Sequence, residues 1–159
     1  MANFKIKSFC KINLFLRVVK KLKNGYHNIK SLVAFCDLHD VITISKINGT
    51  EDKISFSGKF KKGINKTFNT ITRTLYLLRK ENLLLQQFYK INIKKNIPHG
   101  SGLGGGSSNA ADLLNYFTLR MKLRKNNKKV LKIASKVGFD VPISLDNKYT
   151  YLTGKKNKI

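Results

Sequence analysis

Residues 98 to 109 have the sequence Pro-His-Gly-Ser-Gly-Leu-Gly-Gly-Gly-Ser-Ser-Asn and contain five of the chain's eleven glycines. The segment from Phe88 to Ile93 before them has the pattern of a β-strand, and the apolar spacing from Ala110 to Phe117 after them predicts a helix. Glycine lacks a Cβ, so backbone N–H groups can converge on a ligand, and the first helical turn adds unpaired donors and the positive end of the helix dipole. A strand, a glycine loop and a helix in this order therefore predict a phosphate-binding site.

Three other kinds of glycine-rich segment fit the loop less well. A flexible linker would not normally be bracketed by apolar elements and led by a proline. A Walker A loop ends in Gly-Lys-Ser/Thr, whereas Gly105 and Gly106 are followed here by Ser107, with no lysine in the loop. Gly100, Gly102 and Gly105 satisfy the dinucleotide pattern G-x-G-x-x-G, but no acidic residue lies near position 125 to bind a ribose. We therefore reject all three interpretations.

The loop resembles the corresponding segment of the GHMP kinases, a family of small-molecule kinases with the signature Pro-x-x-x-Gly-Leu-Gly-Ser/Gly-Ser-Ser. The resemblance implies that backbone donors from Gly102 to Ser108 hold the β- and γ-phosphates of ATP, with Mg²⁺ bridging the two phosphates. It does not indicate which protein groups would bind the Mg²⁺. The residues that it assigns to ATP binding in this segment are Pro98, His99, Gly100, Ser101, Gly102, Leu103, Gly104, Gly105, Gly106, Ser107 and Ser108.

The composition indicates one globular domain with a large positive charge. The chain has 159 residues, enough for a single well-cored domain, and 42% of them are hydrophobic. Thirty-two basic residues against eight acidic ones give a formal net charge of +24, which favours anionic partners in general, nucleic acids included. Lysine, asparagine and isoleucine are frequent along the whole chain, so we interpret part of this charge as compositional bias. We do not expect a nucleic-acid partner.

The cysteines and the apolar runs indicate the cellular compartment in which we expect the protein. Cys10 and Cys36 are the only cysteines and lack metal-like spacing, which predicts free thiols in a reducing environment. The uncharged run from Ile12 to Leu16 is too short for the core of a signal peptide, and no run approaches the length of a membrane span. We therefore expect a cytoplasmic protein with no membrane partner.

The N-terminal segment contains the first catalytic candidate. Alternation from Phe4 to Val19 predicts β-structure, with Lys11 and Asn13 on one face of it. A lysine in an apolar strand commonly faces solvent, and the pattern alone leaves that interpretation open. The segment from Cys10 to Leu16 is similar to the GHMP kinase sequence Ala-Lys-Leu-Asn-Leu-Phe-Leu. The resemblance implies that Lys11 is catalytic and that Asn13 lies near the substrate.

A turn then leads to the next β-segment. Asn-Gly-Tyr-His at positions 24 to 27 is a turn signal before a strand from Ile29 to Phe35. From spacing alone, Tyr26 and His27 would be surface residues or minor packing contacts. The resemblance implies that both recognise a cytosine, and the chemistry is suitable because a phenol ring can stack on a pyrimidine while imidazole meets its polar edge.

Four further polar residues are interpreted structurally. Asp37 and Asp40 lie in the segment Asp-Leu-His-Asp, which we interpret as a turn into a new strand, with the carboxylates holding local backbone. His39 has no partner at metal-ligand spacing and is expected to be a solvent-exposed loop residue. Asn69 precedes an apolar-periodic helix that extends to about Asn82 and is expected to be its N-cap. The resemblance adds that Asn69 lies close to the ATP.

The second catalytic candidate follows the last predicted long helix. Apolar spacing predicts this helix from about Asn127 to Val137, and Gly138 is expected to end it. An aspartate beside a helix end is commonly a turn residue. The segment Gly-Phe-Asp-Val-Pro from position 138 nevertheless resembles a second GHMP kinase motif. The resemblance implies that Asp140 acts on the hydroxyl group of the substrate, with Lys11 beside it.

The order of the predicted elements indicates an α+β fold. Four or five strands precede the first helix, followed by a strand, the glycine loop, two helices and a short strand from Tyr149 to Leu152. The resemblance implies the ribosomal protein S5 domain 2-like arrangement of the GHMP kinase N-terminal domain, with helices packed on a mixed sheet. It covers residues 1–159 as an ATP-binding domain. We expect the C-terminal GHMP domain to be absent and the isolated chain to be an incomplete kinase.

The resemblance also implies a reaction, with alternatives. It implies ATP-dependent phosphorylation of an alcohol on a cytidine-diphosphate-linked polyol, a small-molecule partner. A GHMP kinase of the mevalonate or homoserine type is one alternative, against which the Gly-Tyr-His segment argues. A basic RNA-binding domain of the same fold is another, but it would need neither Asp140 nor a phosphate loop. The residues predict no particular oligomeric state.

Overall fold

A computed structural model describes residues 3–23, 25 and 27–156. Tyr26 lies outside these residues. The model confirms the α+β class: five strands form one mixed sheet, and helices pack against it. In chain order the elements are β1 (Phe4–Lys21), β2 (His27–Ile47), β3 (Lys53–Ser57), α1 (Thr70–Lys80), β4 (Phe88–Lys94), α2 (Gly105–Arg120), α3 (Lys128–Val137), α4 (Val141–Ser144) and β5 (Thr150–Lys156).

The sheet has β2 at its centre. Strand β1 pairs antiparallel with β2 along most of its length, in a sheet of order β1-β2-β4-β3. The first part of β2 also pairs with β5 and the second part with β4, both antiparallel. Strands β3 and β4 are parallel, which α1 makes possible by crossing between them. The exit of β4 therefore lies beside the middle of β2, where the glycine loop begins.

The predicted number of strands before the first helix was wrong, because β1 and β2 are each continuous. Three strands precede α1 in the described residues. The expected turn at Asp37 to Asp40 is a bulge inside β2: Phe9 pairs with His39, and the next pair along is Cys10 with Cys36. A bulge absorbs extra residues without ending a strand, so a turn-like composition did not produce a turn.

The prediction that His39 is an exposed loop residue was also wrong. His39 lies within β2 and is partly buried, with its ring 5.4 Å from the ring of Phe9.

The core lies between the sheet and the helices. Residues at alternate positions of β2 and β4 point to the helical side, and α2 is buried along most of its length. Helices α1, α3 and α4 pack around α2. No helix of the described residues is long and apolar enough to cross a membrane. Fully buried core side chains include Ile42, Ile44, Ile91, Ile93, Leu113, Leu114 and Ile133.

One acidic side chain of α2 is buried in a polar cluster. Asp112 is only 6% exposed, and its Oδ1 lies 3.4 Å from Nδ2 of Asn147. Burial raises the pKa of Asp112 from 3.8 to about 6, against the smaller lowering effect of the nearby Ser8 and Asn147 side chains and of the Lys125 charge. Asp112 Oδ2, Ser8 Oγ and Asn147 Oδ1 have no hydrogen-bond partner among the described residues. A protonated acid or an amide at position 112 would add a donor to this cluster of oxygens.

Substituting Asp112→Asn should stabilise the protein at neutral pH. A raised folded-state pKa means that stability falls as the pH rises from 3.8 through about 6, because the buried carboxyl must ionise. The amide cannot ionise, so we expect the free energy of unfolding at pH 7.5 to increase by about 1–3 kcal/mol. The increase should shrink towards zero below about pH 4. Urea unfolding at both pH values measures it.

The matched control is Asp146→Asn, because the Asp146 side chain is exposed and lies 3.7 Å from Nζ of Lys125. We expect this variant to change stability little at either pH. A loss of stability at pH 7.5 in Asp112→Asn would contradict the interpretation of the cluster.

Candidate active site

The glycine loop joins β4 to α2 through three residues with positive φ. Gly100, Gly102 and Gly104 have φ values of 72°, 76° and 68°, a region that favours glycine. Gly104 is the N-cap of α2. The Ser101 hydroxyl donates to the carbonyl oxygen of Pro98 at 2.9 Å and so closes the first part of the loop. The backbone thus makes consecutive tight turns before entering the helix.

The first turn of α2 presents backbone donors to the loop. The N–H groups of Gly105, Gly106 and Ser107 occupy the first helical positions, which have no intrahelical acceptor. Ser108 differs, because its N–H already donates to the carbonyl oxygen of Gly104 at 2.9 Å. Its hydroxyl oxygen, however, is buried and has no hydrogen-bond partner among the described residues. The N–H of Ser108 is therefore not available to a ligand, and its hydroxyl is fully buried.

A second helix N-terminus meets the loop. The Thr70 hydroxyl in the first turn of α1 donates to the carbonyl oxygen of Gly106 at 2.8 Å. Asn69 caps α1 as predicted, accepting hydrogen bonds from the N–H groups of Ile71 and Thr72 at 3.0 Å each. The positive ends of two helix dipoles consequently lie side by side, which favours a polyanion between them.

A cavity opens next to this junction. It has a volume of about 920 Å³ and lies against the first two turns of α1. Asn69 lines it, but the Asn69 side chain is fully used, because its Nδ2 also donates to the carbonyl oxygens of Asn65 and Lys66. Any contact of Asn69 with a ligand would therefore compete with the helix cap.

Lys11 and Asp140 form an ion pair beneath the loop. The Nζ of Lys11 lies 3.3 Å from Oδ2 of Asp140 and donates to Oδ1 of Asn13 at 2.9 Å. Lys11 is only 8% exposed, whereas the Asp140 side chain is 26% exposed. Asp140 is placed by the break between α3, which ends at Gly138, and α4. The pair therefore brings together residues that are 129 positions apart in the sequence.

The backbone of Lys11 is tied directly to the loop. Its N–H donates to the carbonyl oxygen of Leu103 at 2.9 Å. A Cβ added to Gly104 would lie 2.5 Å from Cγ and 3.0 Å from Cε of Lys11, so the lysine side chain fills the space that any other residue at position 104 would need. The loop and the ion pair are thus held in contact.

Sequence reasoning missed the importance of Asp40. It was expected to be a turn residue, but it lies within β2, is fully buried and pairs with Lys95. Its position did carry a signal, because Asp40, Ile42 and Ile44 alternate onto one face of the strand. An acid in register with core isoleucines predicts an inward carboxylate with a buried partner.

The candidate substrate residues lie further along the sheet. Tyr26 is outside the described residues. His27 pairs with Lys21, ten residues along β1 from Lys11, and no hydrogen bond or ion pair between described residues links it to the Lys11 cluster. His27 and Phe35, the partner of Lys11, are eight residues apart in a regular part of β2 and so share a face. The Nδ1 atom of His27 is buried and unpartnered among the described residues.

These features define an α+β domain in which a lysine–aspartate pair lies under a glycine loop at a helix N-terminus. The family model for the GHMP kinase N-terminal domain matches residues 69–148. The chain therefore belongs to the GHMP kinase family.

Individual relatives support the assignment to this family. The chain is 46% identical over 147 residues to a 4-diphosphocytidyl-2-C-methyl-D-erythritol kinase of Pelagibacter ubique, covering 91% of this chain and 51% of the relative. It is 41% identical to the kinase of the same name from Thermosipho melanesiensis, covering 94% of this chain and 52% of the relative. The chain thus spans about half the length of these relatives.

Solved structures share the fold. A crystal structure of 4-(cytidine 5'-diphospho)-2C-methyl-D-erythritol kinase superposes with a TM-score of 0.76 at 27% identity, covering 95% of this chain and 52% of the other. A mevalonate kinase from Staphylococcus aureus superposes with a TM-score of 0.63 at 10% identity, covering 98% and 55%. The second similarity shows the fold alone.

Substituting Gly104→Ala should destabilise the protein more than Gly102→Ala. Both residues have positive φ, so each substitution should cost about 1–2 kcal/mol of backbone strain. A Cβ at Gly102 would meet nothing within 4 Å, whereas a Cβ at Gly104 would collide with Lys11. We expect Gly104→Ala to lose a further 1–3 kcal/mol or so, measured by urea unfolding. Equal losses in the two variants would contradict the close approach of Lys11.

Proposed function

We propose that this chain forms the ATP-binding part of a kinase that phosphorylates the 2-hydroxyl of 4-diphosphocytidyl-2-C-methyl-D-erythritol, in the non-mevalonate route to isoprenoid precursors. The observation that carries the proposal is the Lys11–Asp140 pair, 3.3 Å apart and in contact with a glycine loop at a helix N-terminus. Two relatives with that kinase name, 46% and 41% identical over most of this chain, support the choice of substrate.

The glycine loop would hold the triphosphate of ATP. Phosphoryl transfer asks a protein chiefly for positioning and for stabilisation of charge on the transferred group. The N–H groups of Gly105, Gly106 and Ser107 would donate to phosphate oxygens. The N-terminal end of α1, joined to the loop by the Thr70–Gly106 hydrogen bond, adds a second favourable dipole.

Lys11 and Asp140 would act at the acceptor hydroxyl. Asp140 would accept or orient the hydroxyl proton as the oxygen attacks the γ-phosphate. Lys11 would pair with the carboxylate and offset the negative charge that develops on the oxygens. Asn13, which accepts a hydrogen bond from Nζ of Lys11 at 2.9 Å, would hold the ammonium group in place and lie near the substrate.

A Mg²⁺ ion bound with ATP fits the site. Within the part of the chain that is described, no three His, Cys, Asp or Glu residues form a metal cluster. Mg²⁺ in such sites is usually held by one or two protein oxygens, the phosphates and water, so a full cluster is not required. The carboxylate of Asp140, which is 26% exposed, is a suitable oxygen. The ion would neutralise charge on the phosphates.

The part of the sheet around His27 would bind the cytidine end of the substrate. His27 would meet the polar edge of the cytosine, and its buried, unpartnered Nδ1 is a suitable group for that contact. Tyr26 would stack on the ring. The separation of His27 from Lys11 along the sheet suits a substrate in which a diphosphate lies between the cytidine and the alcohol.

Other members of the family remain alternatives. Mevalonate and homoserine kinases share this fold, at 10% and 20% identity. Neither mevalonate nor homoserine has a base for His27 to bind. RNA binding by this basic fold is the other alternative, and it would require no ion pair beneath the phosphate loop.

We also propose that this chain corresponds to an N-terminal ATP-binding domain that works together with a second GHMP domain. The relatives are about twice as long as the part matched here. Leu14, Phe15 and Leu16, which follow Asn13 on β1, are 42–55% exposed, so a partner domain could bury apolar surface there. Such a domain would also exclude water from the acceptor hydroxyl.

Substituting Lys11→Met or Asp140→Asn should abolish most turnover while leaving ATP bound. We expect turnover to fall by about a hundredfold or more, since each variant removes a group that acts on the reacting oxygen. Calorimetry with ATP and Mg²⁺ should show an affinity within a few-fold of the parent. Turnover is measured on this chain and on a fusion that adds the second half of the Pelagibacter ubique relative.

The controls are Lys7→Met and Asp146→Asn, which make the same chemical changes at exposed positions of the same segments. Both should retain turnover. Normal turnover of Asp140→Asn in the active form would refute the assigned mechanism.

Substituting His27→Ala should weaken the binding of the cytidine substrate and leave ATP binding unchanged. We expect cytidine diphosphate to bind about tenfold or more weakly, because a buried hydrogen bond to the base is lost, with ATP affinity unchanged. Calorimetry with cytidine diphosphate and with uridine diphosphate measures the effect and the base preference. The control is His39→Ala, which removes a partly buried histidine from the other half of β2. Equal cytidine diphosphate affinity in the parent and in His27→Ala would remove the case for cytosine recognition.

A further inference from the structure

The carboxylate of Asp40 contacts both ends of the glycine loop. Its Oδ1 accepts the backbone N–H groups of Asn96 and Ile97, at 2.7 and 2.9 Å, immediately before the loop begins. Its Oδ2 accepts Nδ2 of Asn109, at 3.0 Å, in the second turn of α2. The same oxygen is paired with Nζ of Lys95. One side chain thus joins the strand that enters the loop to the helix that leaves it.

The chain just after β4, on the strand side of this arrangement, is also held by contacts that do not involve Asp40. Lys95 N–H donates to the carbonyl oxygen of Ser57 at 2.7 Å, and its carbonyl accepts from Phe60 at 3.3 Å. A Cβ at Gly58 would lie 2.6 Å from the Lys95 carbonyl oxygen, so the two backbones are in close contact. Asp40 is therefore bonded to a fixed strand end, and its bond to Asn109 sets α2 relative to that end.

The charge of Asp40 explains why this contact is strong. Asp40 is fully buried and Lys95 is 5% exposed, so their attraction is little screened by water. Hydrogen bonds to an ionised acceptor are stronger than those to a neutral one. A buried ion pair is often no more stabilising than an apolar pair would be, so fold stability alone does not account for it. What an apolar pair could not supply is directional bonding to both ends of the loop.

We propose that Asp40 is the positioning residue of the phosphate loop, fixing the separation of its two ends through Asn96 and Ile97 on one side and Asn109 on the other. Asp40 touches no reacting atom in this arrangement and acts through the loop backbone. That the ligand is the triphosphate of ATP rests on the proposed function. The role of Asp40 in fixing the loop geometry does not depend on the proposed function.

The test compares Asp40→Asn with Asp52→Asn. Asp52 is a close match, because it accepts the N–H of Tyr89 at 2.9 Å and pairs with Arg79 at 2.7 Å, but it lies at the opposite end of β4. Both substitutions remove one negative charge and one partly or fully buried ion pair. We expect both to lower the urea midpoint. Only Asp40→Asn should weaken the binding of ATP and Mg²⁺, by about tenfold or more.

A second measurement needs no nucleotide. Hydrogen exchange of the two hydrogen-bonded amides at the loop, those of Ser108 (to Gly104) and Lys11 (to Leu103), should be at least about tenfold faster in Asp40→Asn, after correction for global stability, and unchanged in Asp52→Asn. If Asp40→Asn does not fold, Asn109→Ala removes only the helical side of the contact and should show the same two effects more weakly. In a folded double variant, the effects of Asp40→Asn and Asn109→Ala on exchange should not add.

The outcomes separate the two proposals. If the parent chain does not bind ATP but the loop amides exchange faster in Asp40→Asn, the proposed function fails and the positioning role stands. If the parent binds ATP and Asp40→Asn matches Asp52→Asn in both affinity and exchange, the positioning role is refuted. The positioning role is likewise refuted if Asn109→Ala matches the parent in both measurements.

Discussion

The side chain of Lys11 passes so close to the backbone of Gly104 that a Cβ there would lie 2.5 Å from its Cγ. This contact determines where β1 can lie relative to the glycine loop, and the Lys11 N–H fixes it further by donating to Leu103. Since β1 pairs with β2 along most of its length, the placement of the sheet follows from it. Asp140 reaches Lys11 only because α3 and α4 pack on α2, which starts at the same loop.

Much of the fold followed from local signals in the sequence. The glycine loop, the apolar periodicity of α2 and α3 and the N-cap of α1 were all predicted within a few residues, because each depends on neighbours close in the chain. The proximity of Lys11 and Asp140 does not follow from local signals. It was implied by family resemblance, and no pattern within either segment predicts it.

What the sequence analysis missed depends on distant partners. Asp37, His39 and Asp40 have the composition of a turn, yet pairing of β2 with β1 carries the strand through them by a bulge. Asp40 binds residues 55 to 69 positions away, so its role could not be seen locally. Alternation with Ile42 and Ile44 did place it on the core side, and Lys95 alternates in the same way with Ile91 and Ile93. Two opposite charges in register with core isoleucines on adjacent strands are a usable signal for a buried ion pair.

The large positive charge of the chain contributes less to the site than its size suggests. Among the described residues, Lys11 and Lys95 are the buried basic side chains, and each is paired with an aspartate. Both ion pairs are formally neutral, so the attraction for phosphate at the proposed site would come mainly from backbone N–H groups and from the converging ends of α1 and α2. The other basic side chains whose burial is described are partly or fully exposed to water and screened by salt. Anion binding at the loop, as proposed, would therefore depend on backbone geometry, so the contacts that hold the two ends of the loop would matter more than the net charge.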